Sequence, residues 1–249
     1  MKTLVIHDIR EDYFDLKLGA YALTFDDGLF SQYYYYPLFR RYRSELIYFI
    51  PTAFIKPRKA RPWFDKNHPG YLKSKQYMHE AFVRGRFDHF MTIEELQALA
   101  GEKKVTIGAH SHGHDVIITR TGPRHKKKLS PWKLDRFQNL SILSEKKYHI
   151  RSKLAFQGYH LRDGKLSRRS ESEWADYIKY DTEQCLKWFD SHLNLKPELY
   201  GLPFNEYSDT MLSILRSFGF KKFYGARPVE GKEIFPRVDI DRLAQLSNA

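Results

Sequence analysis

Short apolar runs and amphipathic stripes alternate along most of the chain. Residues 2–7 (Lys-Thr-Leu-Val-Ile-His) and 20–25 (Ala-Tyr-Ala-Leu-Thr-Phe) are rich in β-branched and aromatic side chains and predict strands, the second running directly into Asp26-Asp27-Gly28. Residues 33–42 predict a helix in spite of four successive tyrosines, and 44–50 a strand closed by Pro51. Thr92 is a candidate helix N-cap, with Glu95 placed three residues on to complete a capping box. Residues 104–109 then predict a strand that delivers His110 at its C-terminal end. Trp174, Tyr177, Ile178, Cys185, Leu186, Trp188 and Phe189 fall close to one stripe of a helix over 171–193, with Pro197 beyond its end. A strand over 198–202, a helix over 208–218 before Gly219 and a strand over 221–226 follow. Such alternation predicts a parallel α/β sheet or barrel, whose reactive groups gather at strand C-termini. Two stretches interrupt the rhythm and read as insertions, one near 56–90, rich in proline, charge and aromatics, and one near 116–170.

Composition narrows the class. A chain of 249 residues is long enough for one α/β barrel, so 1–249 is read as a single domain. Its lone cysteine, Cys185, cannot form an internal disulfide. The opening Met1-Lys2-Thr3-Leu4-Val5-Ile6-His7-Asp8 lacks the apolar core and cleavage site of a signal peptide, and no window approaches the roughly twenty apolar residues of a membrane span. A soluble, cytoplasmic protein is the expectation. The formal charge of +12 is concentrated in one place: residues 116–170 hold fifteen Lys and Arg, including Arg124, Lys126, Lys127 and Lys128, against Asp135, Glu145 and Asp163, while the rest of the chain is neutral. A solvated loop, a nucleic-acid contact, a docking surface for anionic lipid and a collar around an acidic substrate all fit that block. The absence of any helix-turn-helix, zinc-finger or RNA-binding signature argues against nucleic acid.

Two constellations carry chemistry. Asp26 and Asp27, adjacent at a predicted strand end, could divide metal binding and proton acceptance between them, although Asp-Asp-Gly also makes an ordinary Asx-turn. In His110-Ser111-His112-Gly113-His114, the first and last histidines would share one side of a helical turn and reach a single divalent ion, with His112 pointing elsewhere.

Together these stretches resemble the polysaccharide deacetylases (carbohydrate esterase family 4): Thr24-Phe25-Asp26-Asp27-Gly28 is similar to their first motif, and His110-Ser111-His112-Gly113-His114 to their His-Ser-x-x-His motif. The resemblance implies a distorted (β/α)7-type barrel. It implies a metal, usually Zn²⁺, on Asp27, His110 and His114, with Asp26 as general base; two nitrogens and one carboxylate oxygen suit zinc or another divalent transition metal. The family's Arg-x-Pro-aromatic motif is present only in part, as Gly201-Leu202-Pro203-Phe204. Pro203 and Phe204 keep the oxyanion-stabilising position, a role a backbone N–H can fill, but the arginine that orients the base is replaced by Gly201. Arg237 is the candidate substitute and Arg227 the reserve. The usual C-terminal Leu-x-x-His is absent, since no histidine follows His192. Relatives acting on poly-N-acetylglucosamine place their acid histidine before the first motif, and His7 stands there, with Asp8 beside it as an orienting group.

The resulting expectation is a metal-dependent N-deacetylase, or N-deformylase, of an amino sugar in a surface polysaccharide or its carrier-linked precursor. The basic block suits a phosphate- or lipid-linked or uronic-acid substrate, or peripheral contact with an anionic membrane. A degenerate barrel that only binds acidic glycan or another polyanion is the alternative.

Overall fold

The computed structural model describes residues 2–42, 45–65, 70–121, 130–137, 148–162, 165–226 and 233–247. Their strands are β1 (Lys2–Ile6), β2 (Tyr21–Asp26), β3 (Leu46–Ile50), β4 (Val105–Ala109), β5 (Val116–Thr121), β6 (Tyr148–Ser152), β7 (Tyr159–Arg162), β8 (Lys165–Arg168), β9 (Leu199–Gly201), β10 (Lys222–Gly225) and β11 (Ile234–Asp239). The α-helices are α1 (Phe30–Tyr34), α2 (Tyr36–Phe39), α3 (Ser74–Phe82), α4 (Ile93–Ala100), α5 (Pro131–Asp135), α6 (Glu171–Leu193), α7 (Asp209–Ser217) and α8 (Ile240–Ser247).

Seven strands close a parallel barrel in the order β1-β11-β10-β9-β4-β3-β2, so every strand presents its C-terminal end on the same side. β3 shows how the sequence builds this. Its five residues are all buried, as a strand covered on both faces requires. Leu46, Tyr48 and Ile50 join the main core with Ile178 and Phe189 of α6, Leu96 and Leu99 of α4, and Leu212 and Leu215 of α7. Ile47 and Phe49 point the other way and cluster with Tyr224 inside the barrel. The Phe49 ring lies so close to its neighbours that a Cβ added at Gly108 would sit 2.7 Å from it, and one at Gly201 2.6 Å away. Glycine at both positions is therefore a condition of having that ring there.

The helix boundaries follow local chemistry. α6 starts at a Ser170/Glu173 capping box and ends at Asn194, which adopts the left-handed conformation with φ 48°. α4 starts at the Thr92/Glu95 box. The helix expected over 33–42 is instead two short ones, α1 and α2, divided at Tyr35 just ahead of Pro37, which has no N–H to continue a helix.

The described residues of both insertions form regular elements that their composition does not suggest. The first contains α3 and is tied to the barrel by Arg61, which donates to both Glu95 oxygens at 2.8 and 2.9 Å, to the Asp88 and Phe90 carbonyls, and lies over the Phe30 ring. Within the second, β6-β5-β7-β8 form an antiparallel sheet. A second apolar cluster joins the two, with Tyr77, Met78 and Ala81 of α3 meeting Val116 and Ile118 of β5, Trp132 of α5 and Ile150 of β6. Phe82 stacks on Trp132 with ring centroids 5.0 Å apart. No helix among the described residues is long and apolar enough to cross a membrane.

Candidate active site

The strand ends converge on one cavity of about 190 Å³ lined by His7, Asp26, Asp27, His110, His114 and Phe204, among others. β2 ends at Asp26, and the turn that follows places Asp27 at φ 74° and Gly28 at φ 63°. This left-handed bend, which Asp tolerates better than most side chains, sends two adjacent carboxylates to different partners. Asp27 Oδ2 accepts from the Tyr77 hydroxyl at 2.8 Å. Its Oδ1 lies 3.5 Å from His110 Nε2 and 3.5 Å from His114 Nε2. All three side chains are buried, at 2–3% exposure, and their ligand atoms fall within 4.8 Å of one another.

The histidine segment reaches this arrangement without a helical turn. His110 follows β4, Ser111 takes φ 70° and His114 φ 47°, and these two left-handed residues fold the chain back so that both rings face Asp27. His112 turns away, its Nδ1 2.8 Å from Thr52 Oγ1. The His110 Nδ1 pairs with the Gly201 carbonyl at 2.8 Å, which places the proton on that nitrogen and leaves the Nε2 lone pair toward Asp27. His114 is steadied by its backbone N–H on Ser111 Oγ at 2.9 Å and by the Phe204 ring at 4.4 Å. Burial holds its pKa down at about 4, so the ring stays neutral. Asp27 Oδ1, buried and without a hydrogen-bond partner among the described residues, sits between two imidazole nitrogens. An uncompensated carboxylate oxygen in that position fits a divalent cation, and zinc in particular accepts this donor set.

Asp26 faces Arg237. The guanidinium donates to both carboxylate oxygens, at 2.6 and 2.9 Å, and is shared with Thr24 Oγ1 at 3.2 Å and Asn205 Oδ1 at 3.4 Å. Burial pushes Asp26 up, but Arg237, His110 and His7 outweigh it and hold the carboxyl below its ordinary range. Gly201 leaves no room for the arginine of the Arg-x-Pro-aromatic pattern, because Phe49 and His110 Nδ1 already fill that space. Arg237 instead comes from β11. His7 follows β1, and Gln32 Nε2 donates to the carbonyls of His7 and Asp26, clamping the ends of β1 and β2 together. Asp8, expected to orient His7, accepts the Leu72 N–H at 2.8 Å. Pro203 is buried, and Phe204 follows it at φ 58°, ψ 13° with its ring on the cavity wall.

No family model and no curated protein matches the sequence. Solved structures do match it. The deacetylase domain of BpsB from Bordetella bronchiseptica superposes with a TM-score of 0.58 at 15% identity, over 88% of this chain and 71% of that one. A de-N-acetylase from Aggregatibacter actinomycetemcomitans gives 0.60 at 11% identity, over 95% and 93%. IcaB from Ammonifex degensii gives 0.57 at 14% identity, over 100% and 97%. The chain has the polysaccharide deacetylase fold.

On that deacetylase fold the insertions complete the cavity wall, with Lys75, Tyr77 and Met78 from α3, Ser130 ahead of α5, and Trp132 and Lys133 from α5. Several residues here escape a reading of the sequence alone. Tyr77 lies in a stretch that reads as irregular. Gln32 and Asp181 are polar residues set among apolar helix positions, and that mismatch is the signal that could have found them. Asp181 of α6, itself buried, accepts the backbone N–H groups of His112 at 2.9 Å and Gly113 at 2.8 Å, between the two histidines that face Asp27. Burial lifts its pKa to about 6 against the pull of those two donors. Arg227, Arg124 and Lys126 to Lys128 lie outside the described residues.

Proposed function

We propose that this chain is a metal-dependent hydrolase that removes an N-acetyl or N-formyl group from an amino sugar of a surface polysaccharide or its phosphate- or lipid-linked precursor. The observation that carries the reading is Asp27 Oδ1, buried between two imidazole nitrogens and without a hydrogen-bond partner among the described residues, in the cavity that Asp26 and His7 also line. Asp27, His110 and His114 would hold the ion, zinc or another divalent transition metal. When bound, it supplies Lewis-acid polarisation of the amide carbonyl and lowers the pKa of water.

The remaining work falls to side chains. Asp26, kept ionised by Arg237, accepts the proton of the attacking water as general base. His7 gives a proton to the departing amine. The Phe204 backbone N–H, on the turn that begins at buried Pro203, would stabilise the oxygen that gains charge. Trp132 and the Phe204 ring flank the space where the sugar ring lies.

The test is release of acetate or formate from N-acyl amino-sugar oligomers, with metal content measured on the same preparation. Turnover with about one divalent ion per chain, lost together with that ion in His110→Ala and lost without it in Asp26→Asn, is the expected result. Polyanion binding with neither metal nor turnover would instead establish the barrel as a binding module.

A further inference from the structure

The two carboxylate oxygens of Asp27 meet different neighbours. Oδ1 faces His110 Nε2 and His114 Nε2, both at 3.5 Å, whereas Oδ2 accepts the Tyr77 hydroxyl at 2.8 Å. That hydroxyl arrives from outside the barrel strands. Tyr77 sits on α3 in the first insertion, yet it is fully buried, in a cluster with Leu29, Phe54 and Phe90. Its ring meets Phe90 edge-on, with centroids 6.0 Å apart and planes at 86°. The segment that carries Phe90 also holds the turn that carries Asp27: Leu29 and Phe90 form an isolated bridge, and the Met91 N–H donates to the Gly28 carbonyl at 2.8 Å. Phenol and carboxylate are thus fixed against the same stretch of chain. Turning the carboxylate so that both oxygens faced the histidines would give up that buried bond.

We infer that Tyr77 is a positioning residue that makes Asp27 a one-oxygen ligand. The inference rests on the metal centre of the proposed function. A carboxylate can hold a divalent ion through one oxygen or through both, and the second mode takes up one more of the ion's positions. Catalytic zinc keeps three protein donors and leaves what remains to water and substrate. His110 Nε2, His114 Nε2 and Asp27 Oδ1 make up that number, and the Tyr77 hydroxyl is what keeps Oδ2 from joining them. A ring of the same size without the hydroxyl frees Oδ2 to turn toward the ion, at the expense of a position that the reaction uses.

Cobalt(II) loaded into the chelator-stripped full chain tests this, because its visible absorption weakens as its coordination number rises. Tyr77→Phe should absorb less per bound ion than wild type and hold cobalt within about threefold of wild-type affinity against a competing chelator. Acetate, added as a ligand for the ion's open positions, should bind that variant about tenfold more weakly. Phe82→Leu, which loosens α3 against Trp132 and keeps the hydroxyl, should match wild type in all three measurements. A spectrum and an acetate affinity in Tyr77→Phe identical to those of wild type overturn the assignment, and so does an equal change in Phe82→Leu, which would make the effect one of packing. An unchanged spectrum with a fall in cobalt affinity overturns it too, since Tyr77 would then support the ion without limiting Asp27. Acyl release by the zinc-loaded wild type is scored separately. A hydroxyl-dependent cobalt spectrum in a protein that releases no acetate or formate from N-acyl amino-sugar oligomers would leave the one-oxygen ligand standing and remove the hydrolase reading.

Discussion

Arg237 and Gly201 explain each other. A Cβ at 201 would sit 2.6 Å from Phe49 Cγ, so the barrel cannot hold both that ring and an arginine in β9, and Asp26 takes its cation from β11. Arg237→Gln should lower kcat/KM by about a hundredfold, within the usual worth of a proton-transfer group. The pH profile should report its cause. With the guanidinium gone the Asp26 pKa rises, the ionised base is lost at higher pH, and the acidic limb of kcat/KM moves upward; an unmoved limb would mean that Arg237 serves packing alone. Gly201→Ala should destabilise the fold by about 1–3 kcal/mol in urea titrations through overpacking, and Phe49→Leu in the same chain should recover part of that loss.

α6 does more than cover the barrel. Its Asp181 grips two N–H groups of the histidine segment, and Asp181→Asn keeps one acceptor where two are needed. Metal affinity measured against a competing chelator should fall about ten- to a hundredfold, with circular dichroism unchanged. Linkage gives a second readout in the metal-free protein. The folded-state pKa of Asp181 is raised to about 6 from an ordinary 3.8, so over that window the native state holds a proton the unfolded state has released. Stability from this group is therefore present at low pH and lost as pH rises toward 6, and the fall should be missing in Asp181→Asn. The same helix shows what a sequence discloses well: its apolar stripe marks 171–193, and the folded helix runs between those same limits. β11 shows the opposite. Its inward position is Arg237, while Phe235 and Val238 are 41% and 43% exposed, so the strand inverts the polarity that a reader searches for. α3 is hidden in another way, because its neighbourhood is dense in proline and charge and its order comes from Tyr77 and Phe82 packing across to Trp132 of another segment. The strand-end acids and histidines are legible because their types and spacing are local. The bend through Ser111 and His114 is not, since it depends on Asp181, far away in the chain.

The molecule as a whole gathers its chemistry at a single rim. The atoms proposed to hold the ion are carried at the ends of β2 and β4 and come together only in the closed barrel, so a bound cation favours it over the unfolded chain. Zinc should raise the thermal midpoint of chelator-stripped protein in a concentration-dependent manner, and His114→Ala should erase that response. The charge distribution adds a second global property. The net +12 comes from residues 116–170, whose described part includes α5 and the antiparallel sheet, and Lys133 of α5 lines the cavity.

The bond from Tyr77 to Asp27 has a practical consequence for anyone redesigning this scaffold. An inserted segment is ordinarily the exchangeable part of a barrel, to be trimmed or traded for new selectivity. Here it supplies the hydroxyl bonded to Asp27, the carboxylate proposed to hold the ion, so a shortened chain would lose that support along with its old preference. Loop and centre act as one module, and a graft that hopes to work must transplant them together.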